Sequence, residues 1–490
     1  MKGSQNPWVV LTILCASLFI VVIDITVLYT ALPMLSAELG PSSSQVLWIA
    51  DVYSLVCAPL LLPFAALGDR YGRRAMLLWG YAVFGLASLA AAFAPNVAIL
   101  IVARAILGLG GAMIMPSTLS MIRQVFTDPK PRATALGVWS AVAAGGAIIG
   151  PLVGGALVEW TWWGAVFLIN VPVMLAAIPL TLLLVPESPR ADSGRWDALG
   201  ALLATGGVLS LAFGIKTAGH ESLFAPPALA SWAGAAVLLM WFVRRQLRAA
   251  EPLLEVRLFA NPAFSTAAVS ILVTFLVLVG LELFFTQYLQ LVVGLGPLSA
   301  ALRILPMSVT SVLGSLAGGP LVARFGAPPL VAAGLVGTSV ALAPLVTLTT
   351  TDQPWLIGLC FAAMGFSLSV ALTAASNAMM NAVATEHAGQ AAAVEETSYE
   401  LGGGLGIAVL GSVMSAAFAA CFPHAGVVRD SALALRSAYP QIAESARETF
   451  VASLHLTVIV SAALLMITGL VIVVVLRRHP RIAPNLGEKA

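Results

Sequence analysis

The chain has 490 residues, 60% of them hydrophobic and 9% charged, with a net charge of +2. Soluble domains lie near ~45–50% apolar and ~25% charged, so this composition excludes a chain kept in water by its own surface, and the charge gives no sign of a nucleic-acid partner. The solvent that fits is a lipid bilayer, which a helix of about 20 apolar residues crosses.

Apolar runs bounded by charge or by Pro/Gly clusters predict fourteen spans. They lie at roughly residues 8–33, 46–67, 75–93, 98–122, 134–158, 163–185, 197–216, 227–247, 262–290, 298–322, 328–349, 354–379, 389–419 and 451–476. The first is too long for a signal-peptide core and is read as a retained helix. With the N-terminus inside, the cytoplasmic segments take most of the 24 basic residues, among them Arg70, Arg73, Arg74, Arg244, Arg245, Arg248, Arg257, Arg477 and Arg478. Both termini are therefore expected in the cytoplasm. Residues 420–450 form a long outer loop, read as two short helical pieces broken at Pro440, either a solvated connector or a cap over the outer mouth. Cys15, Cys57, Cys360 and Cys421 show no CxxC spacing, so neither a disulfide framework nor a metal site is expected.

An internal repeat is legible. AALGDRYGRR at 65–74 and GPLVARFG at 319–326 match at Leu67/Leu321, Arg70/Arg324 and Gly72/Gly326, a constant spacing of 254 residues, with Ala323 where Asp69 stands. Both follow the second helix of a six-helix block. The expected division is 1–190, an N-terminal six-helix half; 191–257, a two-helix insert; and 258–490, a C-terminal six-helix half carrying the outer loop.

Four stretches resemble the motifs of the 14-helix drug:proton antiporters of the major facilitator superfamily. They are IDITVLYTALP in the first span, ALGDRYGRR after the second, RAILGLGGA from Arg104 in the fourth, and GAIIGPLVGG from Gly146 to Gly155 in the fifth. The chain departs from the family at Tyr29, where Asn is usual, and at Ala65, where Gly is usual. GRWDALGALL and EPLLEVRLFANPAFS resemble the insert boundaries, and LWIADVYSL and AAAVEETSYELGGGLGIAVLGS are similar to the quaternary-ammonium and biocide efflux branch. The resemblance implies an all-α membrane protein with the major facilitator fold, two six-helix halves plus two inserted helices.

Charges inside spans cost roughly 2.5–3.5 kcal/mol each on insertion scales and are the candidate site. Asp24 and Arg104 lie about 13 Å and about 10 Å from the outer ends of their helices at 1.5 Å per residue. Burial disfavours the carboxylate and a nearby guanidinium favours it. The pair is either a proton-coupling element, which the resemblance implies, or a static tie between two helices. Glu396 and Glu400, one turn apart on one face of the thirteenth span, are read as cavity acids that attract a cation and take up protons. Glu395, rotated about 100° from Glu396, is read as meeting a neighbouring helix; the alternative is that these acids, Glu395 and Glu396 before the deeper Glu400, lie wet at the cytoplasmic end. Tyr399 offers a ring face to a cation. Asp51 is either a cation or proton site near the outer mouth or an interfacial residue in water beside Trp48. In the first-loop motif, Gly68, Asp69, Arg70, Gly72 and Arg73 are read as an inner-gate latch, the alternative being a basic cytoplasmic loop with one stray acid. Gly146, Gly150 and Gly154, spaced four apart, allow close helix approach, Pro151 permits a bend, and Gly155 completes the motif. That motif is read as a seam limiting leak, as a packing face, or as both.

Some pumps of this branch carry an extra acid a few residues after the motif seen here as LPM, where this chain has Ser311. Glu282 and Arg303 are instead expected to pair, with dications exported less well than monocations; otherwise Glu282 supplies the missing cavity charge.

The function expected is proton-coupled export of lipophilic cationic drugs, dyes and quaternary ammonium biocides by alternating access. The alternatives are an exporter of a lipid, siderophore or metabolite on the same scaffold, and a membrane receptor that transports nothing. No enzyme is expected, since HExxH and a strand-borne GxSxG are absent and the glycine runs follow no strand. No cofactor is expected beyond the proton gradient. The partners expected are small-molecule cations, protons and the bilayer, with no nucleic acid, and the chain is read as a monomer in the inner (cytoplasmic) membrane.

Overall fold

The structure, a computed structural model, describes residues 6–187, 197–222, 224–249, 252–383, 388–422 and 440–478. Its α-helices are α1 (Pro7–Leu39), α2 (Ser43–Tyr71), α3 (Arg73–Ala92), α4 (Val97–Val125), α5 (Pro129–Trp160), α6 (Ala165–Leu168), α7 (Asn170–Leu184), α8 (Ala198–His220) and α9 (Pro226–Arg248). They continue with α10 (Pro262–Gln287), α11 (Pro297–Phe325), α12 (Ala327–Leu342), α13 (Pro354–Asn381), α14 (Ala388–Cys421) and α15 (Pro440–Arg478). No strand occurs among the described residues.

Helices α1, α2, α4 and α10 start at a side-chain cap. Asn6 and Asn261 accept from the second backbone N–H of α1 and α10, each just before a proline that fits the first helical position. Ser42 and Gln45 close a capping box on α2, and Asn96 caps α4. Among the described residues, 13 helices are long and apolar enough to cross a membrane, α6 and α7 counting as one, Ala165–Leu184. The fourteenth expected span is the 32-residue α5, whose apolar stretch Ile149–Trp160 is shorter.

The chain forms two compact units, one of Met1–Gly214, Phe224–Leu253 and Leu295–Ala301, the other of Ile215–Leu223, Leu254–Gly294 and Leu302–Ala490. Within the first, α1 packs on α4, α5 and α7, α3 on α4 and α7, and α2 on α4. Within the second, α10 packs on α13, α14 and α15, and α12 on α13 and α15. The pairing repeats, and so does the register: α2 and α11 begin and end at the 254-residue spacing read from the loops. The glycine after each, Gly72 at φ +103° and Gly326 at φ +81°, makes the turn in a backbone region that disfavours side chains. Beside them Arg70 lies 5.5 Å from the Tyr71 ring and Arg324 5.2 Å from the Phe325 ring.

The glycines of GAIIGPLVGG form one stripe against α1. A side chain at Gly146 would meet Val22, one at Gly150 would meet Thr26, and one at Gly154 would meet Val27 and Thr30. The second unit repeats this seam with α14 on α10. Gly406 sits against Leu276, and Gly280 sits against Gly406 and Leu410. Val22 and Leu276 stand at the repeat spacing, as do Thr26 and Gly280, so the glycine has changed sides at the second contact.

The outer loop departs from expectation. Pro440 opens α15, a 39-residue helix, rather than separating two short pieces, because proline is well suited to a first helical turn. Residues 423–439 and the expected boundary at 190–191 lie outside the described residues.

Candidate functional site

A buried polar cluster joins α1, α2, α3, α4 and α7. Arg104 Nη1 donates to Asp24 Oδ2 at 2.8 Å, with the two side chains 1% and 0% exposed. Asn170 Nδ2 donates to the other carboxylate oxygen, Oδ1, at 2.6 Å and to Ser88 Oγ at 3.1 Å. Arg104 Nε donates to the Ile49 carbonyl at 3.2 Å, and the guanidinium lies 5.1 Å from the centre of the Tyr53 ring and 5.9 Å from that of Phe167. A buried ion pair offsets its desolvation only when further hydrogen bonds satisfy both partners, and Asn170 and Ile49 supply them here.

Local sequence explains the geometry. Gly108 and Gly111 in RAILGLGGA leave the space in which α4 meets the Tyr53 backbone and hydroxyl on α2, which brings Arg104 under α2. The depth match read from Asp24 and Arg104 is therefore borne out as a contact. Asn170, Ser88 and Tyr53 are partners that sequence reasoning missed. The one signal available was a lone amide, Asn170, in the run INVPVML.

Asp51 is fully buried on α2, so the reading of it as an interfacial residue in water is overturned. Tyr29 is also buried, at 3% exposure.

On α14 the acids divide between two faces. Glu395, Tyr399, Gly402 and Gly406 form the stripe turned toward α10, where Gly402 meets Leu272 and Phe275. Tyr399 donates its hydroxyl to Glu395, and its ring lies 4.5 Å from that of Phe275. Glu395 thus faces a neighbouring helix as expected, yet it bonds to its own. Its burial excludes a wet position, and the ring face of Tyr399 that was assigned to a cation is packed instead. Glu396 and Glu400 lie on the adjacent stripe, Glu400 buried and Glu396 half-buried.

The expected Glu282–Arg303 pair does not form. Arg303 Nη2 bonds Asp352 Oδ2 at 2.6 Å instead. Both partners are partly exposed, so Arg303 takes the acid nearer to water and avoids drawing a guanidinium into the helix interior. Glu282 forms no ion pair among the described residues, and Thr286 bonds only its backbone carbonyl.

In the first-loop motif, Arg73 Nε donates to Asp69 Oδ1 at 2.8 Å across the Gly72 turn. The bare Cα of Gly68 leaves room for the Arg73 stem, and Arg74 Nη2 reaches the Leu182 carbonyl at 2.6 Å, tying the loop to the end of α7. Arg70 is exposed. Gly155 packs on the backbone of Pro297 and Leu298, and Pro151 is buried.

Residues 14–407 match the sequence profile of the Major Facilitator Superfamily. The chain belongs to this superfamily. It is 38% identical to the multidrug efflux pump LfrA of Mycolicibacterium smegmatis, over 97% of this chain and 98% of that one. It is 41% identical to the methyl viologen resistance protein SmvA of Salmonella typhimurium, over 85% and 84%. The tetracenomycin C resistance and export protein of Streptomyces glaucescens is 31% identical, over 85% and 78%. Among solved structures, a bacterial homologue of the human lysosomal transporter Spinster, inward-facing and unoccupied, superposes with a TM-score of 0.71 at 18% identity, over 99% of this chain and 100% of that one. At that identity the likeness shows the fold alone. The motif resemblance and the all-α major facilitator fold are thereby borne out, and the chain is a multi-pass membrane transporter.

Proposed function

We propose that this protein is a proton-coupled antiporter that exports lipophilic cationic drugs, dyes and quaternary ammonium biocides by alternating access. The observation that carries the reading is the Asp24–Arg104 pair, a carboxylate fully buried in a spanning helix and held by a single guanidinium. Such groups inside membrane helices mark ion and proton pathways, and this acid has a counter-ion that can stay charged while the acid is neutral. Glu396 and Glu400 on α14 supply negative charge for a cationic substrate and a second place for protons, while Glu282, Asp51 and Tyr29 are assigned to the substrate cavity. The relatives named for multidrug efflux, methyl viologen resistance and antibiotic export support substrates of this kind.

The Asp69–Arg73 loop acts as an inner-gate latch and the α1–α5 glycine seam limits leak. The chain is divided into halves at 1–190 and 258–490, with 191–257 as an insert. The protein works as a monomer in the cytoplasmic membrane, both termini in the cytoplasm, and draws its energy from the proton gradient without a bound cofactor. Ethidium efflux from cells expressing the protein tests the reading. Efflux that stops when an uncoupler collapses the gradient is the expected result, whereas efflux insensitive to the uncoupler contradicts coupling. Failure to move any monovalent cation would favour a lipid or metabolite exporter.

A further inference from the structure

Every hydrogen bond that Asp24 makes to a side chain among the described residues is donated to it. Arg104 holds Oδ2 and Asn170 holds Oδ1. A guanidinium has donors only, so a proton cannot settle on Oδ2 while Arg104 faces it. A proton bound by Asp24 goes to Oδ1, where it meets the hydrogens of Asn170 Nδ2. Asn170 can remove that conflict, because its amide carries a donor and an acceptor of nearly equal shape.

Its present use is one-sided. Nδ2 makes both of its bonds, to Asp24 and to Ser88, while Asn170 Oδ1 is buried and accepts no hydrogen bond among the described residues. A half-turn about the Cβ–Cγ bond exchanges the two ends. Oδ1 then stands where Nδ2 stood, with two lone pairs: one accepts the new O–H of Asp24, and the other accepts the Ser88 hydroxyl, which donates as readily as it accepts.

We propose that Asn170 is the positioning residue that reads the protonation state of Asp24 by turning its side-chain amide, with Ser88 reversing its hydrogen bond in step. This rests on the reading of Asp24 as the coupling acid. One proton is transferred: the Asp24 Oδ1–H bond forms as the O–H bond of the hydronium ion that delivers the proton breaks, leaving water. Asp24 Oδ2 continues to accept from Arg104, now as a neutral carbonyl. Arg104 keeps the Ile49 carbonyl and the Tyr53 ring, so it remains satisfied while its attraction to α1 weakens. Both carboxyl oxygens of Asp24 are thereby hydrogen-bonded in either protonation state, so Asp24 never presents a buried donor to a donor.

The surroundings leave these groups in charge of the switch. Arg104 on α4 is the charged group in contact with Asp24. On α2, Tyr53 touches the guanidinium, and Asp51 is turned about 200° round the helix from Ile49. The titratable side chains of α3 are Arg73, Arg74 and Tyr81, and Tyr81 lies two turns from Ser88. Neither Gly146–Gly155 of α5 nor Ala165–Leu184 of α6 and α7 contains an acid or a base.

Infrared difference spectra, acid minus neutral, of the full-length protein in liposomes test this, with isotope-labelled asparagine to mark amide bands. The expected spectrum has a protonated-carboxyl band that is lost in Asp24→Asn. It also has a paired asparagine carbonyl band that shifts with the label, is lost in Asn170→Leu and changes position in Ser88→Ala. Should Asn170→Leu fail to fold, the label in the otherwise unchanged protein and the Ser88→Ala shift still decide. An Asp24 band without an Asn170 band overturns the amide turn and leaves coupling standing. Absence of the Asp24 band overturns both.

Discussion

At Asp24 and Arg104 the two partners are so deeply buried that neither tolerates the other's removal. Asp24→Leu strands a guanidinium among helices and is expected to cost about 3–5 kcal/mol, seen as a lowered melting temperature in detergent. Adding Arg104→Leu should recover most of that loss, whereas a double variant as unstable as the single one would mean that the pair is not what holds the site. On α14, Glu400→Gln is expected to impair cation efflux more than Glu395→Gln does. Glu400 lies on the stripe beside Glu396, while Glu395 is engaged by Tyr399 and set against α10. Dose–response growth in ethidium checks this, and a scan in which Glu395 alone matters reverses the assignment. Because Arg303 is already paired with Asp352, Glu282→Gln should express and melt as the parent protein does, with any loss confined to substrates bearing two positive charges. A collapse of expression would restore the structural role. The pairing of Asp24 with Arg104 was legible because both stand alone in apolar helices at one depth. Arg303 was not assignable, since two acids lay within reach and depth counting takes no account of which side of the helix faces water. Asn170 and Ser88 escaped notice because uncharged polar side chains hardly interrupt an apolar run.

Among the elements, the glycine seams were partly visible. The fourfold spacing of Gly146, Gly150 and Gly154 announced a packing face, but the partner helix was not encoded in it. The equivalent seam on α14 was obscured because its second contact uses Gly280 on α10 and Leu410 on α14. Two neighbouring glycines of α14 give a sharp test. A methyl group at Gly406 would strike the backbone carbonyl of Leu276, whereas one at Gly403 would meet Val279 at 3.5 Å, an ordinary contact. Gly406→Ala is therefore expected to cost about 1–3 kcal/mol, and Gly403→Ala close to nothing, by thermal unfolding in detergent. Equal melting temperatures would mean that α10 and α14 do not approach as closely as described. The start of α15 at Pro440 was misread because a proline marks a break and a first turn with the same letter, and only the following pattern of turns separates the two.

For the whole molecule, the span boundaries and the 254-residue repeat were readable from hydropathy and from one pair of loops, since the bilayer constrains length and the turn after α2 and α11 demands a glycine. The repeat does not extend to the chemistry. Asp24 has Leu278 at the repeat spacing, and Asp69 has Ala323, so the buried ion pair and the latch belong to the first unit, and the acidic stripe of α14 to the second. On the proposed reading the Asp24–Arg104 pair couples transport to protons while substrate binding does not depend on it, and the most direct test separates coupling from binding. Purified protein is reconstituted in liposomes with an imposed pH gradient, and uphill ethidium accumulation is compared with equilibrium ethidium binding for the parent protein and for Asp24→Asn. The account predicts accumulation against the gradient by the parent protein, none by Asp24→Asn, and binding retained in both. Uphill accumulation by Asp24→Asn at the parent rate would contradict it.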